Sequence, residues 1–269
     1  MSNQLREGLQ PLPERLAHLA IDARGYPVPW FVQWVTNETC QICKGSGQST
    51  DELTGSADDR CPGCGGLKTV PVPCPPLWPG SIPEFRAMDP QKRVNAIERK
   101  LCWVCGEKLG TNFCFVAGPM CGVNRTSAEP PCHLECGQWS ALNCPFLSNP
   151  RMVRREDEQI NNSSLRDTAP GMAITRNPGV TMLWVCRGYE IFEDGKGAFL
   201  IHMGDPTRVE WYKEGQRATH TEVMLSVKSG LPALYAIAEQ QEGGMKALQE
   251  MITTFLTYVP PINIHMPPK

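Results

Sequence analysis

Thirteen cysteines stand at positions 40, 43, 61, 64, 74, 102, 105, 114, 121, 132, 136, 144 and 186, and their spacing restricts the chemistry open to them. Cys40-Gln-Ile-Cys43 and Cys61-Pro-Gly-Cys64 are two C-x-x-C pairs separated by 17 residues. Two residues between cysteines let both thiolates reach one ion. Two such knuckles complete a tetrahedral four-sulfur zinc site and leave no position for a substrate. A second set follows: Cys102-Trp-Val-Cys105, then His133-Leu-Glu-Cys136. His133 and Cys136 are three apart, so at the start of a helix both face one ion. The expected ligands are Cys40, Cys43, Cys61 and Cys64 for one zinc and Cys102, Cys105, His133 and Cys136 for another, with Cys132, Cys121 and Cys114 as alternative ligands in the second. A disulfide-bonded secreted protein is the competing reading. The odd cysteine count, the paired spacing and an N-terminus without a charged-then-apolar leader pattern oppose it, so a cytoplasmic location is expected.

No reaction is named by these residues. His133-Leu-Glu135 matches the H-x-E of zinc deaminases, but the downstream C-x-x-C those enzymes need is missing. A nuclease built on a zinc finger of the HNH type would carry a histidine between the two ligand pairs, and FCFVAGPMCGVN has none. No phosphate loop, H-E-x-x-H or G-x-S-x-G occurs. His18, His202, His220 and His265 are scattered, and Cys74 in VPVPCPPL reads as a small apolar residue.

The elements that must position these ligands can be read in part. The apolar Leu12, Leu16, Leu19 and Ile21, and then the alternating Val28, Trp30, Val32 and Trp34, make residues 1–36 a segment packing on the core. Residues 37–80 are rich in Gly, Ser, Asp and Pro and read as an insert stabilised by metal rather than by burial. Residues 81–150 form the second zinc domain. Asp89-Pro90 caps a helix carrying Val94 and Ile97, residues 112–123 read as a β-hairpin turning at Gly118-Pro119, and a short helix begins near His133. Residues 151–177 are a polar linker. Residues 178–269 read as a separate α+β unit: strands in GVTMLWVC, GAFLIHM and RVEWY, a helix capped by Thr219 and Glu222 and ended by Gly230, another from Pro232, and a last one through Leu248, Ile252 and Phe255. The fold class expected is therefore α+β with small zinc-stabilised modules.

Composition narrows the partners. The chain has 269 residues and a net charge of −2, so it has no global basic field, and no run reaches the length of a membrane helix.

Two resemblances extend this reading. Cys40-x-x-Cys43-x-Gly45-x-Gly47 resembles the repeat of the cysteine-rich zinc domain of DnaJ-type chaperones, and Cys61, Cys64 and Gly66 resemble it again, with Lys68 in place of the last glycine. Two repeats rather than four imply one zinc, and with no His-Pro-Asp motif a partner-binding insert is implied rather than a full chaperone. The order of knuckle, hairpin and helix-borne ligand pair is similar to a treble-clef finger. The stretch LCWVCGEKLG through GPMCGVNR to HLEC resembles a group of uncharacterised bacterial and phage proteins, which implies such an origin and no particular chemistry.

Two functions follow as expectations. In the first, the chain is a non-enzymatic zinc protein that binds a host or phage protein. In the second, it binds nucleic acid through Lys108, Arg125, Arg151, Arg154 and Arg155, with Trp103 and Trp139 for stacking. Arg151, Arg154 and Arg155 run at once into Glu156-Asp157-Glu158, which balances that charge and favours the protein-binding reading.

Overall fold

The computed structural model describes residues 4–46, 48, 61, 64, 67–149, 179–193 and 199–262. Its elements are antiparallel sheets and helices, so the chain is α+β. The expected linker, with Arg151, Arg154 and Arg155, lies outside the described residues, as do Gly47, Gly66 and His265.

After a short 3-10 turn at Glu14–Leu16, strands β1 (Val32–Thr39), β2 (Thr69–Pro73) and β3 (Ile82–Met88) form a sheet in the order β2-β1-β3. Val32, Trp34 and Val35 are buried. Pro71 and Pro73 cannot donate to a further ladder, which suits β2 to an edge. The sheet crosses the expected boundaries: β1 begins in the N-terminal segment and runs into the insert, and β3 lies beyond it.

Helix α1 (Pro90–Arg99) is capped as expected, with the Asp89 carboxylate accepting from the amides of Gln91 and Lys92. Then come β4 (Phe113–Ala117), α2 (Pro119–Asn124), β5 (Thr126–Ser127), α3 (Leu134–Asn143) and α4 (Pro145–Ser148). The expected hairpin over 112–123 is not formed. Gly118 is the N-cap of α2 and Pro119 its first residue, a pairing that suits a helix start as well as a turn.

Strands β6 (Thr181–Cys186), β7 (Tyr189–Glu193), β8 (Phe199–Met203), β9 (Pro206–Lys213) and β10 (Gln216–Arg217) precede helices α5 (His220–Ala238) and α6 (Gly244–Leu256). The expected separation of this part does not hold. Strand β6 is buried along its whole length and lies between β9 and β4 in the sheet β10-β9-β6-β4, so one core joins residues 102–136 to the C-terminal elements. Pairing of β6 with strands distant in sequence gives no local signal. The third sheet, β5-β8-β7, contains two strands, β5 and β7, that the sequence reading missed.

The expected break at Gly230 is also absent, because α5 continues through Pro232. Gly230 is a packing residue: a Cβ there would lie 2.7 Å from Met120 Cγ on α2. Pro232 is exposed, so water can serve the carbonyl its ring leaves unpaired. The capping box forms as expected, with the Thr219 amide donating to the Glu222 carboxylate at 2.8 Å.

Candidate metal centres

The first cluster hangs from the end of the β1–β2 ladder. Thr39 faces Thr69 in the last pair, and the next amide, of Cys40, donates to the Lys68 carbonyl at 3.0 Å. Each knuckle closes with a tight turn after its second cysteine: Ser46 donates to the Cys43 carbonyl at 2.9 Å and Leu67 to the Cys64 carbonyl at 3.0 Å. The Sγ atoms of Cys40 and Cys61 are 3.8 Å apart, and those of Cys43 and Cys64 are 3.7 Å apart. A Zn–S bond of about 2.3 Å in a tetrahedron sets sulfurs about 3.8 Å apart. The four cysteines are buried, yet Val70 is the one apolar neighbour packed on them among the described residues. Sulfur, not hydrocarbon, fills this small core.

The second cluster lies inside the main core. Lys100, at φ 53°, turns the chain out of α1 and into the knuckle, where the Cys102 amide donates to the Glu107 carbonyl at 2.7 Å. The Trp103 amide donates to the Pro131 carbonyl, which fastens the knuckle to the segment that leads into α3. His133 is the N-cap of α3 and Cys136 lies in its first turn. His133 Nδ1 is 3.4 Å from Cys105 Sγ and 3.9 Å from Cys136 Sγ. Nε2 points the other way, 3.2 Å from the Lys108 carbonyl. A carbonyl only accepts, so Nε2 carries the proton and Nδ1 is the nitrogen presented to an ion. Cys102 Sγ accepts from the amides of Cys105 and His133, each at 3.4 Å.

Electrostatics shows what so tight a group demands. Burial opposes charge on Cys102, but hydrogen bonds from Cys105, Cys136 and His133 outweigh it and hold the thiol well below its ordinary range. The same bonds, first to Cys102 and then to Cys105, push His133 up to about 10. Hydrogen bonding to Cys102, then to Cys105, drives the Cys136 thiol upward. Groups pushed in opposite directions at such short range are what a dication reconciles, by displacing the protons they hold.

The structure thus brings together the two expected sets, each with its ligand atoms within 4.8 Å of one another. Their donor types and distances are compatible with two zinc ions. Of the alternative ligands, Cys114 and Cys132 instead face each other across a bridge, exchanging backbone hydrogen bonds at 3.0 and 2.7 Å. Cys121 lies on α2, and Cys74 packs with Val28, Val32 and Trp34.

Of the residues expected to meet nucleic acid, Trp103, Trp139, Arg125 and Lys108 are among the described ones. Trp103 is buried and stacked on Phe31, with ring centroids 4.7 Å apart. Trp139 is buried and donates to the Gln10 carbonyl. Arg125 is tied to Asp205 at 2.9 Å and donates to Met203. Lys108 is exposed, and it and Arg125 are the two of the five basic residues that are described.

Sequence reasoning missed the supports around the second cluster. The N-terminal segment wraps it: His18 Nε2 meets the Cys105 carbonyl at 3.0 Å, and Arg15 bridges Glu107 and Glu135, each at 2.6 Å. Behind α3, the buried Glu210 accepts from Gln138, Tyr212 and Arg217 and pairs with Arg208. Burial alone would raise its carboxyl; bonds from Tyr212, Gln138 and Arg217 outweigh that and lower it. A glutamate alternating with Val209 and Trp211 carried no sequence signal of this role.

No family model matches the chain, and no curated protein or solved structure is similar to it. No helix among the described residues is long and apolar enough to cross a membrane.

Proposed function

We propose that the chain is a zinc-scaffolded binding protein: each cluster holds one structural Zn²⁺, and the module around the first cluster engages a protein partner. The observation that carries this reading is the contrast between closed metal sites and an open apolar surface. Each cluster supplies four ligands at tetrahedral spacing, so neither ion keeps a coordination position for a reacting water. Beside the first cluster Ile42 and Leu67 are more than half exposed, and at the other end of the same sheet, where Pro73 and Ile82 pair with Val35, Leu77, Trp78 and Ile82 are each at least half exposed. So many exposed apolar residues on one three-stranded sheet and its loops mark it as an interaction surface. Lys44 and Lys68 flank Ile42 and Leu67, which adds a cationic rim. The C-x-x-C-x-G spacing supports a likeness to half of a DnaJ-type zinc domain. The ligand pair at the start of α3 supports a treble-clef-like second site in which a strand and a helix replace the hairpin. Nucleic acid is disfavoured as the target because its expected aromatic platforms are buried and Arg125 is already paired.

Elemental analysis with native mass spectrometry is expected to find two zinc ions per chain; none would overturn the metal reading. A photo-cross-linking residue in place of Trp78, in the full zinc-loaded chain, is expected to capture protein in a yield unaffected by nuclease. Capture abolished by nuclease would overturn the protein-binding reading and restore the nucleic-acid one.

A further inference from the structure

Strand edges differ in how they are guarded, and among the described residues the edge of β7 has the fewest guards. An edge strand turns alternate N–H and C=O groups outward, and natural proteins blunt such edges with proline, bulges, short strands or cover. Here β2 carries Pro71 and Pro73. Strand β3 carries Pro83, and its register with β1 shifts at Val32/Gln33. Strands β5 and β10 are two residues long, and Cys132 bridges to the outer side of β4. Strand β7 has no proline, no bulge and no covering strand among the described residues. It runs for five residues, Tyr189-Glu-Ile-Phe-Glu193, at the end of the order β5-β8-β7, and no strand among the described residues pairs with its outer side. Ile191 is 44% and Phe192 40% exposed, and Phe199 on β8, opposite Glu193, is also exposed.

The charges on this edge select the occupant. In one antiparallel self-pairing, a second copy would set Glu190 opposite Glu193 twice. In the register centred on Ile191, each Glu190 would lie diagonal to its own copy. Like charges in either arrangement oppose pairing. We propose that β7 accepts, by strand addition, an extended segment of a partner protein that reads basic–apolar–apolar–basic. Its main chain would complete the ladder, its two apolar residues would lie beside Ile191 and Phe192, and its cations would face Glu190 and Glu193. The partner class rests on the protein-binding reading, but this surface involves neither metal cluster nor Trp78, so the two can fail separately.

The test uses the full zinc-loaded chain and a fluorescent, end-blocked peptide with Lys-Val-Val-Lys at its centre; the control peptide has Glu-Val-Val-Glu. Anisotropy is expected to show saturable binding of the basic peptide only, with amide shifts centred on β7. The double variant Glu190→Lys/Glu193→Lys is expected to lose about tenfold in affinity for the basic peptide and to gain the acidic one. Glu239→Lys/Glu242→Lys, exposed beyond α5, is expected to change neither. The single variant Glu190→Lys makes the edge complementary to itself, and sedimentation is expected to show a dimer that the wild-type edge does not form. No binding of the basic peptide, equal loss in both double variants, or a wild-type dimer broken by blocking β7 would each overturn the proposal.

Discussion

The two clusters use similar ligands in opposite surroundings. The first sits at the end of a two-stranded ladder with Val70 as its one packed apolar neighbour among the described residues. The second is enclosed by Trp103, Phe115, Met182, Trp184 and the rest of the main core, with strands and helices from distant parts of the chain around it. One ion would replace a core; the other would complete one. A metal's contribution to folding therefore depends on what the ligands are already attached to, not on the ligand set alone.

The strongest way to break this comparison is to remove one ligand from each cluster. Cys105→Ser is expected to cost one zinc and the cooperative fold, because it leaves three ligands crowded in the main core; structural zinc sites are worth roughly 10–16 kcal/mol. Cys43→Ser is expected to cost one zinc but to leave the main thermal transition within a few degrees. Native mass spectra and calorimetry on both variants would show it, and equal losses would end the distinction.

A smaller effect tests how the second cluster is anchored. Gln138 and Glu210 tie α3 to β9, so Glu210→Ala is expected to destabilise the fold by about 2–3 kcal/mol in denaturant titrations. The sign with pH follows from the lowered carboxyl. Its contribution is fully present above the ordinary glutamate pKa and disappears as pH falls through the folded-state value, so wild type and Glu210→Gln should converge in acid.

Glycine substitutions compare the two knuckles more finely. Gly106 has φ +80°, and a Cβ there would lie 2.7 Å from the Trp30 ring; at Gly45 φ is +83° and the nearest atom, Thr39 Cγ2, is 3.2 Å away. Gly106→Ala is expected to cost about 2–3 kcal/mol and Gly45→Ala about 1 kcal/mol, read as shifts in separate unfolding transitions. The smallest expected effect is that of Lys108→Ala. Only its backbone carbonyl holds His133, so zinc affinity in chelator competition should not change, while ¹⁵N spectra should place the metal on Nδ1.

How much of this the sequence disclosed depended on range. Both ligand sets, the Asp89 cap and the Thr219–Glu222 box are legible because each is specified within a few residues or by the demands of one ion. Gly118-Pro119 and Gly230-x-Pro232 misled because the same residues serve turns, helix starts and close packing, and only their neighbours decide. The β4–β6 pairing, β7 and the Glu210 cluster were not legible, since each depends on partners brought together by the whole fold.

The position of the clusters along the chain also sets a schedule. A nascent polypeptide presents its first complete ligand set once Cys64 has left the ribosome, while the second waits for Cys136, 72 residues later. At about 5–20 residues per second, that is a delay of roughly 4–14 s. Strand β6, which completes the surroundings of the later set, emerges after both. The tip of the ladder can thus be metallated and finished while Cys102 and Cys105 are still waiting for their partners.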